Sequence, residues 1–183
     1  RARGMGCLSD SEIFQAFDIS YEYDVYDEFM AYLKGEGTLR AYAEAVGRQE
    51  SIYPDNYVKL RFLENHDRPR AAALVPDERA LRNWTAFLYF QKGITLLYNG
   101  QETLNTFRPS LFDRDPVDWN TGKTLTPFFQ KLYRIKRNPV FTDSRYRVSA
   151  TMNGVLVARH PPWNTMTTNT RNYIVAKVKK ESL

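Results

Sequence analysis

The stretch Tyr57-Val-Lys-Leu-Arg-Phe-Leu-Glu-Asn-His-Asp67 carries the fold in miniature. Val58, Leu60 and Phe62 alternate with Lys59 and Arg61, the two-residue period of a strand, and the strand runs into the polar cluster Glu64-Asn65-His66-Asp67. Pro76-Asp77-Glu78 then opens a helix with acids in its first turn, where they suit the positive end of the helix dipole. Leu81, Trp84 and Leu88 line its apolar face, and Lys92-Gly93 closes it. Ile94 to Tyr98 is continuously apolar, the pattern of a strand buried on both faces, and it too ends in a polar cluster, Asn99-Gly100-Gln101-Glu102. Strand, helix, strand implies parallel strands joined by a right-handed crossover. Polar residues at the carboxyl ends of such strands are where this architecture places its chemistry.

Upstream, Tyr26, Phe29, Met30 and Leu33 have helical spacing between Asp24, read as an N-cap, and Gly35 as a stop. Leu39, Tyr42, Ala43 and Val46 repeat that spacing from Thr38, and Pro54 ends the region. The segment from Cys7 to Phe14 is read as one more short strand, with Asp10 and Glu12 in the loop that follows it. Glu12 is a loop or capping residue in this reading, and Asp18, Glu22, Asp24, Asp27 and Glu28 are a solvated approach to a helix. Downstream, a loop rich in Asp, Pro and Trp (Phe107 to Gly122) leads to a last helix. Thr126 is its cap, Pro127 lies in its first turn, and Phe128, Phe129, Leu132 and Ile135 form its face. Beyond Pro139 the style changes. Tyr146–Ser149 and Val155–Ala158 flank Asn153-Gly154, a strong hairpin signal, and Tyr173 to Val178 gives a third strand. Residues 1–140 therefore read as an α/β unit and residues 141–183 as the start of an all-β one.

The chain has 183 residues, of which 43 % are hydrophobic and 26 % charged, as expected of a globular domain rather than a disordered one. One cysteine excludes a disulfide framework and a paired-thiolate metal site, and two histidines argue against a histidine-rich one. The single thiol, Cys7, is read as buried and inert, and it fits a reducing compartment such as the cytoplasm. No apolar run is long enough to span a membrane, and no export signal opens the chain. Because the chain begins at Arg1, it is expected to be part of something longer. The net charge of +5 is uneven, since residues 129–183 carry eleven Lys or Arg against two acids. No nucleic-acid signature accompanies that excess, so it reads as solvated surface, with neither nucleic acid nor membrane as partner. His160, beside Pro161, is read as a surface loop residue. Trp84 reads as helix core, and Trp119 and Trp163 as loop aromatics.

The motifs at the two strand ends resemble those of the α-amylase family, glycoside hydrolase family thirteen. Phe62-Leu-Glu-Asn-His-Asp67 with Arg70 is similar to the family's seventh-strand motif, an Asn-His-Asp triplet with an Arg three residues on. Gly93-Ile-Thr-Leu-Leu-Tyr98-Asn-Gly-Gln-Glu102 resembles its eighth strand, with Thr95 where Pro is usual, and Asp115-Pro-Val-Asp-Trp119 resembles the loop that follows. The resemblance spans residues from about 8 to 140. It implies the carboxyl-terminal part, about strands six to eight, of a TIM (β/α)8 barrel, followed by part of a C-terminal β-sandwich. It further implies a retaining glycosidase acting on α-glucosidic bonds. One Asp attacks the anomeric carbon, one Glu protonates the leaving oxygen, and a second Asp stabilises the transition state. By matched position Asp67 is that second Asp, and His66 hydrogen-bonds the sugar hydroxyls. Asn65 holds the turn and Arg70 lies near the substrate rim, while Tyr98, Gln101 and Glu102, which end the eighth strand, either line the cleft or act as packing and loop-fixing groups.

Nothing in the chain matches the Gly-x-Arg-x-Asp pattern of the family's nucleophile, and the general acid is expected upstream of Arg1. The chain alone is therefore expected to be inactive, with no cofactor of its own. Calcium, which many family members bind, would lie near an upstream domain of the complete protein. The partners implied are an α-glucan and the missing half of the barrel, and without that half the exposed strand edges favour self-association. Two alternatives stay open: a non-catalytic carbohydrate-binding or interaction scaffold, and a transglycosidase of the same family.

Overall fold

The computed structural model describes residues 9–141 and 144–161 and the backbone of a strand at 173–176. Cys7 and Trp163 lie outside the described residues. Two three-stranded sheets organise the chain. In the first, β1 (Ile19–Tyr21), β2 (Val58–Arg61) and β3 (Ile94–Thr95) run parallel in sequence order. Tyr21, Leu60 and Ile94 sit side by side in register. In the second, β4 (Arg147–Ala150), β5 (Leu156–Arg159) and β6 (Tyr173–Ala176) form an antiparallel meander. The β4–β5 turn holds Asn153-Gly154, as the hairpin signal implied, with Gly154 at φ 71°.

The segment from Cys7 to Phe14 is not a strand over its described residues: Asp10–Ile13 is a single helical turn, α1. A capping box explains it, since the Glu12 carboxylate accepts from the Ser9 amide at 2.6 Å and the Ser9 hydroxyl at 2.7 Å. The strand comes later, at Ile19–Tyr21. The first long helix, α2 (Tyr26–Lys34), is entered through a short turn at Tyr23–Val25, and Val25 rather than Asp24 stands at its N-cap position. Gly35 ends α2 in the left-handed conformation, φ 77°. Helix α3 (Leu39–Ile52) starts as expected at Thr38, whose hydroxyl accepts from the Ala41 amide. A one-turn helix, α4 (Ala71–Leu74), precedes α5 (Glu78–Phe90), which Asp77 caps. Helix α6 (Thr126–Lys136) begins one residue earlier than the sequence suggested: Thr126 lies inside it, and the Thr124 hydroxyl takes the Thr126 amide at 3.2 Å.

The strand alternation in β2 runs opposite to the ordinary expectation. Lys59 and Arg61 are 0 % and 1 % exposed, while Val58 and Leu60 are only half-buried. The charged pair points at the helices, where acids from α1 and from the segment after β1 meet it. Arg61 is ion-paired with Glu22 and hydrogen-bonds Gln49 and Gln91 at 3.0 Å each. Lys59 lies 3.2 Å from both Asp10 and Asp24. Glu22 and Asp24 are thus buried counter-ions rather than solvated residues. Burial still holds the Arg61 guanidinium below its ordinary range, at about 10. The opposite face of the sheet is open, with Ile19, Tyr21 and Ile94 at 40 to 45 % exposure. Ile94 to Tyr98 is therefore not buried on both faces, since Ile94 and Leu97 are exposed, and β3 is an edge strand among the described strands.

An aromatic cluster joins the helices behind the sheet. Trp84 of α5, 2 % exposed, meets Phe29 at 4.9 Å and Tyr42 at 5.6 Å, both edge-on. The same core takes in Tyr146, Leu156 and Ala158 of the second sheet. His160 is part of this seam rather than a surface loop: it is 2 % exposed, and its Nε2 donates to the Phe90 carbonyl at 2.6 Å. Burial pushes the His160 imidazole down to about 4. Beside it, Lys136 donates to the Gln91 carbonyl and is pushed down to about 7, again by burial. Among the described residues no helix is long and apolar enough to cross a membrane.

Candidate active site

Three parallel strands deliver the segments that follow them to one edge of the sheet. Tyr23 follows β1, Glu64 to Arg70 follow β2, and Tyr98 to Asn105 follow β3. At that edge the sequence-selected residues split into two layers.

The lower layer is buried. Asn65 is 0 % exposed, its Oδ1 accepting from the Asp67 amide at 2.9 Å and its Nδ2 donating to the Tyr23 hydroxyl at 2.8 Å. Arg70 is also buried and touches three segments. Its Nη1 donates to the Glu64 carboxylate and to the Asn99 carbonyl, both at 2.8 Å, and its Nε donates to the Phe107 carbonyl at 3.1 Å. Its guanidinium also stacks on the Tyr98 ring at 4.7 Å. The second Glu64 oxygen takes the Ala71 amide at 2.7 Å, which starts α4. Burial pushes the Glu64 carboxyl above its ordinary value, against the opposing pull of Arg70 and the Ala71 amide.

The upper layer is open. The side chains of His66 and Asp67 are 50 % and 46 % exposed, with His66 Nε2 3.5 Å from Asp67 Oδ2. The same oxygen accepts from the Tyr23 hydroxyl at 2.9 Å. Asp67 Oδ1 has no partner among the described residues. The backbone carbonyl of Asp67 is held by Arg108 at 3.1 Å. Such an arrangement offers an acidic oxygen and an imidazole edge to solvent on a turn that Asn65, Glu64 and Arg70 tie down from beneath. That suits hydrogen bonding to a polyhydroxylated ligand and the stabilisation of positive charge on it.

Tyr98 is half-buried and borders a groove of about 420 Å³ with Leu97, Asn99, Glu102, Phe129 and Tyr133. Gln101 is buried, its Oε1 accepting from the Tyr98 amide. Glu102 holds the Gly100 amide at 3.0 Å. Trp119 is exposed at 56 %, and Trp84 is core. Glu12 is a cap. Among the described residues no three His, Cys, Asp or Glu side chains converge to hold a metal ion.

Sequence reasoning brought Asn65, His66, Asp67, Arg70 and Tyr98 together, and the structure places them at one sheet edge. It missed Tyr23, Glu64 as the partner of Arg70, and Arg108. Tyr23 and Arg108 reach the turn from more than forty residues away, so no local pattern marks them.

No family model matches the chain. A solved α-amylase from Lactobacillus plantarum is 40 % identical and superposes with a TM-score of 0.80, over 84 % of this chain and 37 % of that one. The maltogenic α-amylase AmyB from Thermotoga neapolitana is 30 % identical, with a TM-score of 0.68 over 83 % of this chain and 40 % of its own. Among curated proteins, α-amylase 2 of Dictyoglomus thermophilum is 25 % identical over 57 % of this chain. The chain spans about a fifth of the curated relatives it matches, 22 % of this one.

Proposed function

We propose, on the premise that the chain is a relative of the α-amylases of glycoside hydrolase family thirteen, that it contributes part of the catalytic barrel of an amylase-type hydrolase of α-glucans. In this reading β1, β2 and β3 are the sixth, seventh and eighth strands of the barrel, and the β4–β6 meander opens the C-terminal β-sandwich.

The observation that carries the reading is the pairing of a half-exposed Asp67 with a half-exposed His66, on a turn otherwise locked from beneath. Asp67 is the transition-state-stabilising carboxylate. Glycosidic cleavage develops positive charge on the sugar ring, and a fixed carboxylate at the ring stabilises that charge without having to reorganise. His66 hydrogen-bonds the hydroxyls of the same sugar. Asn65 and Arg70 act from below, Asn65 by holding the Asp67 amide and Arg70 by tying the Asp67 turn to the segments at Asn99 and Phe107. Tyr98, stacked on Arg70, forms the floor of the cleft beside them.

Retention needs a nucleophile and an acid/base about 5–5.5 Å apart, and no residue of this chain matches the family's motif for either. Both belong to the remainder of the barrel, so the 183 residues alone should release no sugar from starch. The active protein carrying them should hydrolyse maltoheptaose, and proton NMR of the first product should show the α-anomer. A β-anomeric first product, or binding without hydrolysis, would exclude this reading. Binding without hydrolysis would favour a carbohydrate-binding scaffold.

A further inference from the structure

We propose that Tyr23 is a positioning residue for Asp67, its hydroxyl forming the link that fixes which carboxylate oxygen is tied down and which is left for substrate. This rests on the role assigned to Asp67 above.

The direction of the hydrogen bonds follows from what each group can do. The Asn65 amide nitrogen has only donors, so the bond it makes to the Tyr23 oxygen is a donation. The phenol has one proton, and that proton goes to Asp67 Oδ2 at 2.9 Å. Asn65 Oδ1 closes the circuit by accepting from the Asp67 amide. Backbone, amide, phenol and carboxylate thus form a ring with one sense, in which the Asp67 amide donates and its carboxylate can only accept. Oδ2 is spent on Tyr23 and lies beside His66, whereas Oδ1 stays open.

The phenol itself is held on several sides. Tyr21 stacks on it at 5.6 Å, Phe62 meets it edge-on at 5.1 Å, and the Arg68 guanidinium covers it at 5.0 Å. Burial and the bond to Asp67 both push the Tyr23 phenol above its ordinary value, as expected of a proton held between a phenol and a carboxylate. Without the hydroxyl, Asp67 keeps its backbone anchors at Asn65 and Arg108 but loses the restraint on its side chain. A carboxylate free to turn has to be reoriented in the transition state, which costs rate rather than binding.

Tyr23→Phe keeps the ring and its packing and removes only the link. In the active protein carrying this chain, kcat on maltoheptaose should fall about tenfold, the effect of one hydrogen bond to a charged group, with KM within about twofold. In the Asp67→Asn background the same change should cost nothing further, because the carboxylate it serves is gone. In the 183-residue chain, carbon-13 NMR of labelled tyrosines should show the Tyr23 titration moving down on Asp67→Asn.

A Tyr23→Phe loss that is equal in both backgrounds, or one confined to KM, would overturn the positioning role while leaving the assignment of Asp67 standing. An unmoved Tyr23 titration would show that the link is absent in solution and would also overturn it. An Asp67→Asn variant as fast as wild type would remove both readings together.

Discussion

Arg70 shows how one side chain can organise a site it does not open onto. It is 3 % exposed and bound to Glu64 and to two carbonyls from different segments. Removing one partner of a buried ion pair leaves the other charge uncompensated and typically costs about 3–5 kcal/mol. Arg70→Leu should therefore lower unfolding free energy in urea by an amount of that order. Arg70→Lys should recover only part of it, because a lysine head cannot serve Glu64, Asn99 and Phe107 from a planar fork. A variant as stable as wild type would show that the ion pair and its two carbonyl bonds contribute nothing net. At this scale the sequence was informative wherever the chemistry is local. Asn65, His66 and Asp67 are contiguous, and their placement at a strand end followed from the polar cluster after an alternating run. Tyr23 and Arg108 were not legible, since each meets the turn only after the strands have been brought side by side.

Elements were legible in kind but not always in which face they bury. The alternation of Tyr57–Phe62 marks a strand correctly, yet its charged residues face the core. A run of two basic residues gives no hint of this until Glu22 and Asp24 are seen to arrive opposite them. Those two acids read as solvated for the same reason. The close approach of the α5–β3 turn to β2 is set by Gly93. Its φ is 107°, and an added Cβ would lie 2.4 Å from the Lys59 carbonyl oxygen. Gly93→Ala should destabilise the fold by about 2 kcal/mol or more, since strain at positive φ and a backbone clash act together. Equal stability of the two proteins in thermal unfolding would contradict the packing of that turn.

The seam between the two sheets should respond to acid. His160 is neutral in the fold, with a pKa near 4 against an ordinary 6.5. The unfolded chain therefore binds a proton that the folded chain refuses as pH falls from 6.5 towards 4. Stability should drop across that window by at most about 3 kcal/mol and hold level with respect to this group above it. His160→Gln, which keeps a donor for the Phe90 carbonyl, should flatten that part of the pH profile. An unchanged slope in urea titrations at pH 7 and pH 4.5 would show that His160 does not carry it.

For the molecule as a whole, the open face of the first sheet is the dominant feature. Ile19, Tyr21 and Ile94 lie exposed on it, and neither β1 nor β3 has an outer neighbour among the described strands. Apolar surface and unpaired edges of this kind favour association between chains. Light scattering of the 183-residue chain at micromolar concentration should therefore show oligomers, and a monodisperse monomer would contradict that. The same open face explains why the run from Ile94 to Tyr98 misled: it has the composition of a strand covered on both sides, and only one side is covered here.

The central claim is that Asp67 stabilises the transition state of α-glucoside cleavage, and the most direct measurement is kcat for Asp67→Asn in the active protein that carries these residues. The change removes the charge and keeps the shape of the side chain. With maltoheptaose as substrate, kcat should fall by about three orders of magnitude or more while circular dichroism and the urea midpoint stay close to wild type. A variant that folds normally and keeps kcat within a few-fold of wild type would contradict the claim.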